Sequence, residues 1–468
     1  MQGTALIIMH PAISHVNASL GIAESLRGAK YQVAYAGHFS IREMIDRNKY
    51  RFYELDSMPF GSGYERFYNS KENRTSYLDI LLLKLSDKIY HDRKKDLNHL
   101  VSTLNPEAIF LDPFLSTDFV LLYEYAKKQQ ACIFILQTMF STCKAKYYPP
   151  LSSKTTPKFN TYSYLSIETE WVLKYLKFKW WRTLQMVKYL GRDDYSNVKR
   201  KLKKHISSRK YKIENFIHLN YSFTNLPEVI IAPQELEFTN SKLREYHFYS
   251  GHQIDRSRVD RSVEKSFYET RCQLAQQKVN HGIKIIYLSF GTRYELHRTP
   301  ILNFIECLLV IATTKRNYRI VITADEELQS QITNKPDNVF IYKRVDQISM
   351  LEISDLFISH GGLNSIKESI YCKVPLLIYP LETIGDQPGN AARVEFHKLG
   401  RTGDLEKINI KELIALIDSL IQDNVYKENI RKFNEHLKKY TSEYFIKYFI
   451  QAKTTYWSQD YDKTLSKL

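Results

Sequence analysis

Along the first 140 positions, short apolar runs alternate with segments in which apolar residues recur every three or four positions. Ala5–Met9, Gln32–Ala36, Ala108–Leu111 and Ala131–Leu136 are predicted strands, and Val16–Leu26 and Phe119–Lys127 are predicted helices. The strand runs are apolar throughout, as expected of strands buried on both faces of a parallel sheet. The stretch Tyr147 to Thr161, with Pro149, Pro150 and Pro157, interrupts the pattern, and Val229–Ala232 resumes it as a strand. Residues 240–280 are polar and charged. A second alternation then opens, with predicted strands at Lys284–Ser289, Arg319–Thr323, Val339–Tyr342, Leu356–Ser359 and Leu376–Tyr379. Predicted helices at Ile301–Ala312, Ile348–Glu352, Asn364–Tyr371 and Asn390–Leu399 lie between and after them. The expected class is α/β, with two parallel-sheet domains meeting at a cleft. The expected domains are residues 1–240, with a basic helical insertion at about 160–215, and residues 281–430, joined by a connection at 241–280. Helices in 431–468 are expected to pack back on the N-terminal domain.

Composition narrows this picture. A chain of 468 residues with 43% hydrophobic content is globular and too long for one ordinary core. No apolar run approaches the roughly 18 residues of a membrane span. Ala5–Met9 is too short for a signal-peptide core, so a cytoplasmic protein is expected. The five cysteines (Cys132, Cys143, Cys272, Cys307 and Cys372) never fall in C-x-x-C spacing, which argues against a disulfide framework and a structural zinc site.

Net charge is +16 and strongly localised. Residues 174–212 hold 14 Lys and Arg against Asp193 and Asp194, whereas the rest of the chain has 53 basic and 49 acidic residues. Such a block implies a local partner. Its first part, Trp171–Leu190, is a predicted helix with Leu173, Leu176, Trp180, Leu184, Val187 and Leu190 in one stripe. A second basic segment, Lys199–Lys212, follows. One reading is a core-packed helix followed by a solvated basic one. The other is a patch for an anionic membrane or ligand, because tryptophan with lysine suits the headgroup boundary. Nucleic acid is not expected, since no helix-turn-helix, zinc-finger or RRM pattern accompanies the charge.

Three loops at carboxyl ends of predicted strands carry candidate chemistry. His10-Pro11-Ala12-Ile13-Ser14-His15 leaves the first strand, and Asp112 ends the strand Ala108–Leu111 at the same mouth. A carboxylate accepting from one imidazole nitrogen leaves the other free as a base. Asp118 competes with Asp112 but is better read as beginning the next helix. Phe290-Gly291-Thr292 and His360-Gly361-Gly362-Leu363-Asn364-Ser365 supply small residues and a helix start, where free N–H groups favour an anion. Neither G-x-G-x-x-G nor G-x-x-x-x-G-K-[ST] is present.

The stretch VFIYKRVDQISMLEISDLFISHGGLNSIKESIYCKVPLLIYPLETIGDQPGNAARVEFHKLG resembles the donor-binding signature of UDP-dependent glycosyltransferases with the GT-B fold. IIYLSFGT resembles the opening of that family's C-terminal domain, and PAISHVNASLGIAESL its N-terminal P-x-x-G-H-V-N-P-S-L pattern. DQPGNAARV and VIIAPQELEF are most similar to the bacterial branch that glycosylates carotenoids, macrolides and related lipophilic acceptors. The resemblance implies a GT-B architecture, two Rossmann-like parallel-sheet domains facing a cleft, with the acceptor in the N-terminal domain and the donor in the C-terminal one. It implies an inverting hexosyl transfer from a UDP-sugar to a hydroxyl of a small lipophilic acceptor. His15 falls at the general base and Asp112 at the carboxylate that orients it. Thr292, His360, Gly362, Asn364 and Ser365 fall around the donor diphosphate, Gln347 at a nucleotide-binding glutamine, Glu368 at the ribose, and Asp386 and Gln387 at the sugar hydroxyls. Arg344 stands where the family stacks a tryptophan on uracil, and a guanidinium also stacks on a ring. Ser14 and Ala18 replace a glycine and a proline beside the base, and the loop from Pro380 to Asp386 is longer than usual.

No metal and no cofactor are expected; the UDP-sugar enters as co-substrate. The expected partners are that donor, a lipophilic acceptor and, through residues 174–212, an anionic membrane at its inner face. Two alternatives stay open: a membrane-surface binding protein with degenerate catalysis, and a UDP-sugar epimerase on the same fold.

Overall fold

The computed structural model describes residues 2–63, 76–206, 210–215, 220–239, 244–256, 258, 263–291 and 294–457. Thr292 and part of the basic segment, residues 207–209, lie outside the described residues.

The apolar runs assemble into two sheets. The first contains β1 (Gln2–Met9), β2 (Tyr31–Gly37), β3 (Arg51–Glu54), β4 (Ala108–Leu111), β5 (Cys132–Gln137), β6 (Glu228–Ile230) and β7 (His247–Tyr249). Their order is β3-β2-β1-β4-β5-β6-β7. The second contains β8 (Lys284–Ser289), β9 (Tyr318–Thr323), β10 (Val339–Tyr342), β11 (Leu356–Ser359), β12 (Leu376–Ile378) and β13 (Gly400–Thr402), ordered β10-β9-β8-β11-β12-β13. Every pairing is parallel. The central strands are apolar on both sides because helices cover both faces: Ala5 to Met9, all of β4 and all of β5 are buried. β3, β7 and β13 are absent from the sequence expectation. They are short edge strands (RFYE, HFY and GRT) whose composition lacks the continuous apolar run of an inner strand.

Both sheets reverse strand order once. In the first, the chain leaves β1 toward β2 on one side and returns to β4 on the other. In the second, β8 and β11 hold the same relation. These two switch points, at carboxyl ends, are where a doubly wound sheet leaves a crevice for a ligand.

Elements outside the two sheets tie them together. The segment read as a connection holds the last strand of the first sheet, β7, and then the helix Lys265–His281. The helix Asn424–Leu437 lies on the second lobe, where Asn434 Nδ2 donates to the Ile370 carbonyl at 2.9 Å. The helix Ser442–Thr455 returns to the first lobe. Phe445, Phe449 and Tyr456 join the core of the first sheet, and Tyr448 stacks on Phe248 at 3.7 Å.

The insertion forms a 28-residue helix, Thr161–Lys188, and a shorter one, Asp194–His205. The core-packed reading of the stripe is corrected here. Only Ser163, Ile167, Trp171 and Phe178 of the long helix are buried, whereas Trp180 is 67% exposed and Val187 72%. The stripe lies on the opposite side of the helix from these four residues. The adjacent basic run is partly used internally, since Arg200 and Lys201 each reach Asp87 at 3.0 Å.

Candidate active site

β1 ends at Met9, and the next helix begins at Ile13, three residues earlier than its apolar periodicity indicates. Ala12 is the extended residue before it, and Val16 N–H donates to the Ala12 carbonyl at 3.1 Å. His15 therefore sits in the first turn of a helix rather than in the loop before it, held at the mouth of the β1/β4 switch point. Asp112, directly after β4, is fully buried. His15 Nδ1 lies 2.7 Å from Asp112 Oδ2, and Phe114 N–H donates to Asp112 Oδ1 at 2.9 Å. The Phe114 ring stacks on the imidazole at 5.0 Å, and the Thr138 hydroxyl approaches Nδ1 at 3.4 Å. Burial pushes the Asp112 carboxyl up, but the His15 charge and hydrogen bond, His10 and the Phe114 amide together hold it below the usual carboxylate range. An ionised Asp112 accepts the Nδ1 proton, so the lone pair of His15 resides on Nε2.

The β8/β11 switch point supplies the opposite wall. Gly361 has φ +88°, a left-handed conformation that a side chain rarely adopts, and this lets the chain turn from β11 into the helix Leu363–Tyr371. The His360 ring packs between two glycines. A Cβ on Gly291 would stand 2.7 Å from its Cε1, and one on Gly362 2.7 Å from its Nε2. Burial lowers the His360 pKa to about 4, so the ring is neutral at pH 7. Its Nδ1 is buried with no hydrogen-bond partner among the described residues. An orphaned ring nitrogen beside a helix start fits an absent anionic ligand. We predict that Gly362→Ala, by displacing this ring, weakens UDP binding on the order of tenfold in calorimetric titration. Unchanged affinity would separate the glycine from nucleotide binding.

Asn364 and Ser365 lie in the first turn of that helix. Asn364 Nδ2 crosses the cleft and donates to the Ser14 carbonyl at 2.7 Å, which places the two candidate loops against each other. Gln347 Nε2 donates to Glu368 Oε2 at 2.7 Å and lies 3.3 Å from Ser365 Oγ. Glu368 is buried, and its other oxygen meets Arg258 Nη1 at 2.5 Å. Both Glu368 oxygens are thus engaged within the protein. Asp386 precedes the helix Gln387–Phe396, and its Oδ2 accepts from Asn390 Nδ2 at 2.8 Å. Burial raises its pKa, and the His15 charge across the cleft is among the influences opposing that rise. Gln387 turns toward its own loop, where Oε1 accepts from the Leu381 and Glu382 amides at 2.8 and 3.2 Å. Arg344 is half-buried two residues beyond β10.

Arg258, Phe114, Thr138 and Asn390 are absent from the sequence expectation. Asn390 was accessible in principle, because it follows Asp386 by one helical turn. Arg258 lies in the polar connection and carries no local signal. Among the described residues no group of three or more His, Cys, Asp or Glu could hold a metal ion.

The family model described as UDP-glucoronosyl and UDP-glucosyl transferase matches residues 326–439. A Bacillus subtilis protein described as the uncharacterized UDP-glucosyltransferase YdhE is 32% identical over 157 residues, 33% of this chain and 38% of its own. The putative UDP-glucuronosyltransferase ugt-50 of Caenorhabditis elegans is 30% identical over 34% of this chain and 31% of its own. The chain therefore spans about a third of the length of these curated relatives. Among solved structures, the glycotransferase of kitacinnamycin superposes with a TM-score of 0.66 at 15% identity, covering 96% of this chain and 99% of that one. The calicheamicin glycosyltransferase CalG4 superposes with a TM-score of 0.59 at 13% identity, covering 98% and 100%. The chain has the GT-B fold, and its C-terminal lobe carries the UDP-glucoronosyl and UDP-glucosyl transferase signature over residues 326–439.

Proposed function

We propose that the protein transfers a hexosyl group from a UDP-sugar to a hydroxyl of a small lipophilic acceptor, with inversion at the anomeric carbon. The observation that carries this reading is the His15–Asp112 pair at 2.7 Å, set across the cleft from the His360 loop and linked to it by the Asn364–Ser14 hydrogen bond. The acceptor oxygen attacks the anomeric carbon as its proton passes to His15 Nε2, and the bond from that carbon to the UDP oxygen breaks. Asp112 stabilises the imidazolium that forms. Negative charge develops on the departing diphosphate, where His360, Asn364, Ser365 and the helix start at Gly362 offer fixed dipoles before the reaction begins. Thr292 falls in the same loop cluster by sequence. Gln347 and Glu368 are assigned to the nucleoside, Arg344 to the base, and Asp386 and Gln387 to the sugar. A ribose hydroxyl bound at Glu368 takes the place of one of its present partners. The lobe that holds His15 also carries the basic segment. A polybasic surface is attracted to the negatively charged cytoplasmic leaflet, which supports a cytoplasmic enzyme working at the inner face of the membrane.

The test is a panel of UDP-sugars with pigments, sterols and phenols, the products read by mass spectrometry. A hexosylated acceptor with released UDP is expected, at a rate unchanged after dialysis against a chelator. Interconversion of UDP-sugars without an acceptor would instead indicate an epimerase, and no turnover of any donor would overturn the reading.

A further inference from the structure

The long helix Thr161–Lys188 presents its apolar stripe to solvent. Leu165, Leu173, Leu176, Trp180, Leu184 and Val187 are between 48% and 72% exposed. At 3.6 residues per turn they form a strip roughly 33 Å long, opposite the four buried residues that hold the helix to its lobe. Lys177 and Lys188 line one border of the strip and Lys179 the other. The neighbouring helix Tyr77–Leu85 also exposes apolar side chains. Its Tyr77 hydroxyl donates to the Lys188 carbonyl, and Leu78 and Leu82 are 64% and 63% exposed. An apolar strip of this length, bordered by cations, is unusual on a surface that meets only water.

We propose that this face docks on an anionic lipid bilayer, with the helix lying in the headgroup plane and the stripe entering the acyl boundary. The arrangement suits a flat anionic surface: the apolar residues point outward along the helix, and the lysines beside them are long enough to keep their charges at the headgroups. Among the described residues no helix is long and apolar enough to cross a membrane, so the helix lies on the bilayer. A second copy fits this face less well, because both partners would bring the same cationic block together. Nucleic acid would use the charge but leave the apolar strip in water.

The position of the helix also connects it to the candidate site. Trp171 Nε1 donates to the Tyr148 carbonyl at 2.7 Å, and Lys144 Nζ meets Glu168 at 2.5 Å. These contacts brace the helix on the loop that begins at Thr138, beside His15. Docking deepens the proposed transfer, by presenting the acceptor lobe to a membrane-resident acceptor, and rests on that reading for the identity of what is delivered.

The experiment is co-sedimentation of the full chain with vesicles of phosphatidylcholine alone and of phosphatidylcholine mixed with phosphatidylglycerol, without donor or acceptor. Binding to the phosphatidylglycerol vesicles that weakens with added salt is expected. The combined variant Leu176→Ser, Trp180→Ser and Val187→Ser is expected to lower that binding on the order of tenfold or more, with circular dichroism and UDP affinity unchanged because all three side chains face solvent. The combined variant Lys177→Gln, Lys179→Gln and Lys188→Gln is expected to lose most of the preference for phosphatidylglycerol. Three results would each overturn the proposal: no binding to either vesicle, binding indifferent to the serine variant, or a parent dimer that the serine variant converts to monomer. Vesicle binding is scored without turnover. Failure here therefore leaves glycosyl transfer standing, and vesicle binding by a chain that turns over no donor would separate the two readings in the other direction.

Discussion

Replacing His15 by alanine is expected to slow glycosyl transfer by on the order of 100- to 10,000-fold while leaving UDP affinity close to that of the parent. The imidazole belongs to the first lobe, whereas the groups assigned to the nucleotide belong to the second. Removing it takes away the proposed proton acceptor and none of the groups proposed for the diphosphate. Asp112→Asn provides the companion measurement. The carboxylate is fully buried and binds His15 through one oxygen and the Phe114 amide through the other. An asparagine keeps much of that shape but cannot balance an imidazolium, so the rate is expected to fall steeply with UDP binding intact. Initial rates and calorimetric titration of UDP on the same preparations read both quantities. Transfer by His15→Ala at the parent's rate would remove His15 from the reaction.

The second large effect concerns Asp118, the other acidic residue near that strand end. It opens the helix Asp118–Gln129 and is fully buried, with Arg93 Nε at 3.1 Å from Oδ1 and Arg93 Nη2 at 2.6 Å from Oδ2. Arg93 is itself 2% exposed and also donates to the Ser57 carbonyl at 3.3 Å. Asp118→Asn removes the carboxylate charge that faces this buried guanidinium through two contacts. Breaking such a pair from one side costs about 3–5 kcal/mol, because a buried charge loses the carboxylate that compensated its desolvation. The expected result is a markedly lower urea midpoint, with UDP affinity of the folded fraction unchanged. A midpoint equal to the parent's would contradict the structural role, and loss of UDP binding in folded protein would assign Asp118 to the site. Two aspartates six residues apart thus separate by partner: Asp112 meets an imidazole at the cleft, and Asp118 a guanidinium inside the lobe.

The strands with a continuous apolar run, the inner ones and the edge strand β10, and their helices were legible because each carries its own pattern. β4, β8, β10 and β11 have the bounds their apolar runs indicate. β3, β7 and β13 were not legible, since these three edge strands are short and lack an apolar run such as the VFIY of the edge strand β10, and owe their pairing to the neighbour that reaches them. The candidate loops were legible as positions following strands. Their mutual arrangement was not: nothing in the sequence relates Asn364 to Ser14, 350 residues apart, or brings Arg258 onto Glu368. Gln387 shows the same limit in one side chain, because its oxygen closes the loop at Leu381 and Glu382 instead of simply facing the cleft.

For the basic helix the division is sharpest. Its periodicity identified a helix with one apolar stripe, and an isolated helix of that pattern has no preference between a protein core and a membrane surface. The choice depends on what else fills the space beside it. Trp171 and Phe178 hold the helix down on one side, and among the described residues no element covers the other, so the stripe is exposed. Local sequence determined which segments become strands and helices, because propensity and periodicity act over a few residues. Which helix faces are covered and which distant side chains meet, as Asn364 meets Ser14 and Arg258 meets Glu368, were decided only by the tertiary structure. Burial and ion pairing depend on groups that the chain brings together from far apart.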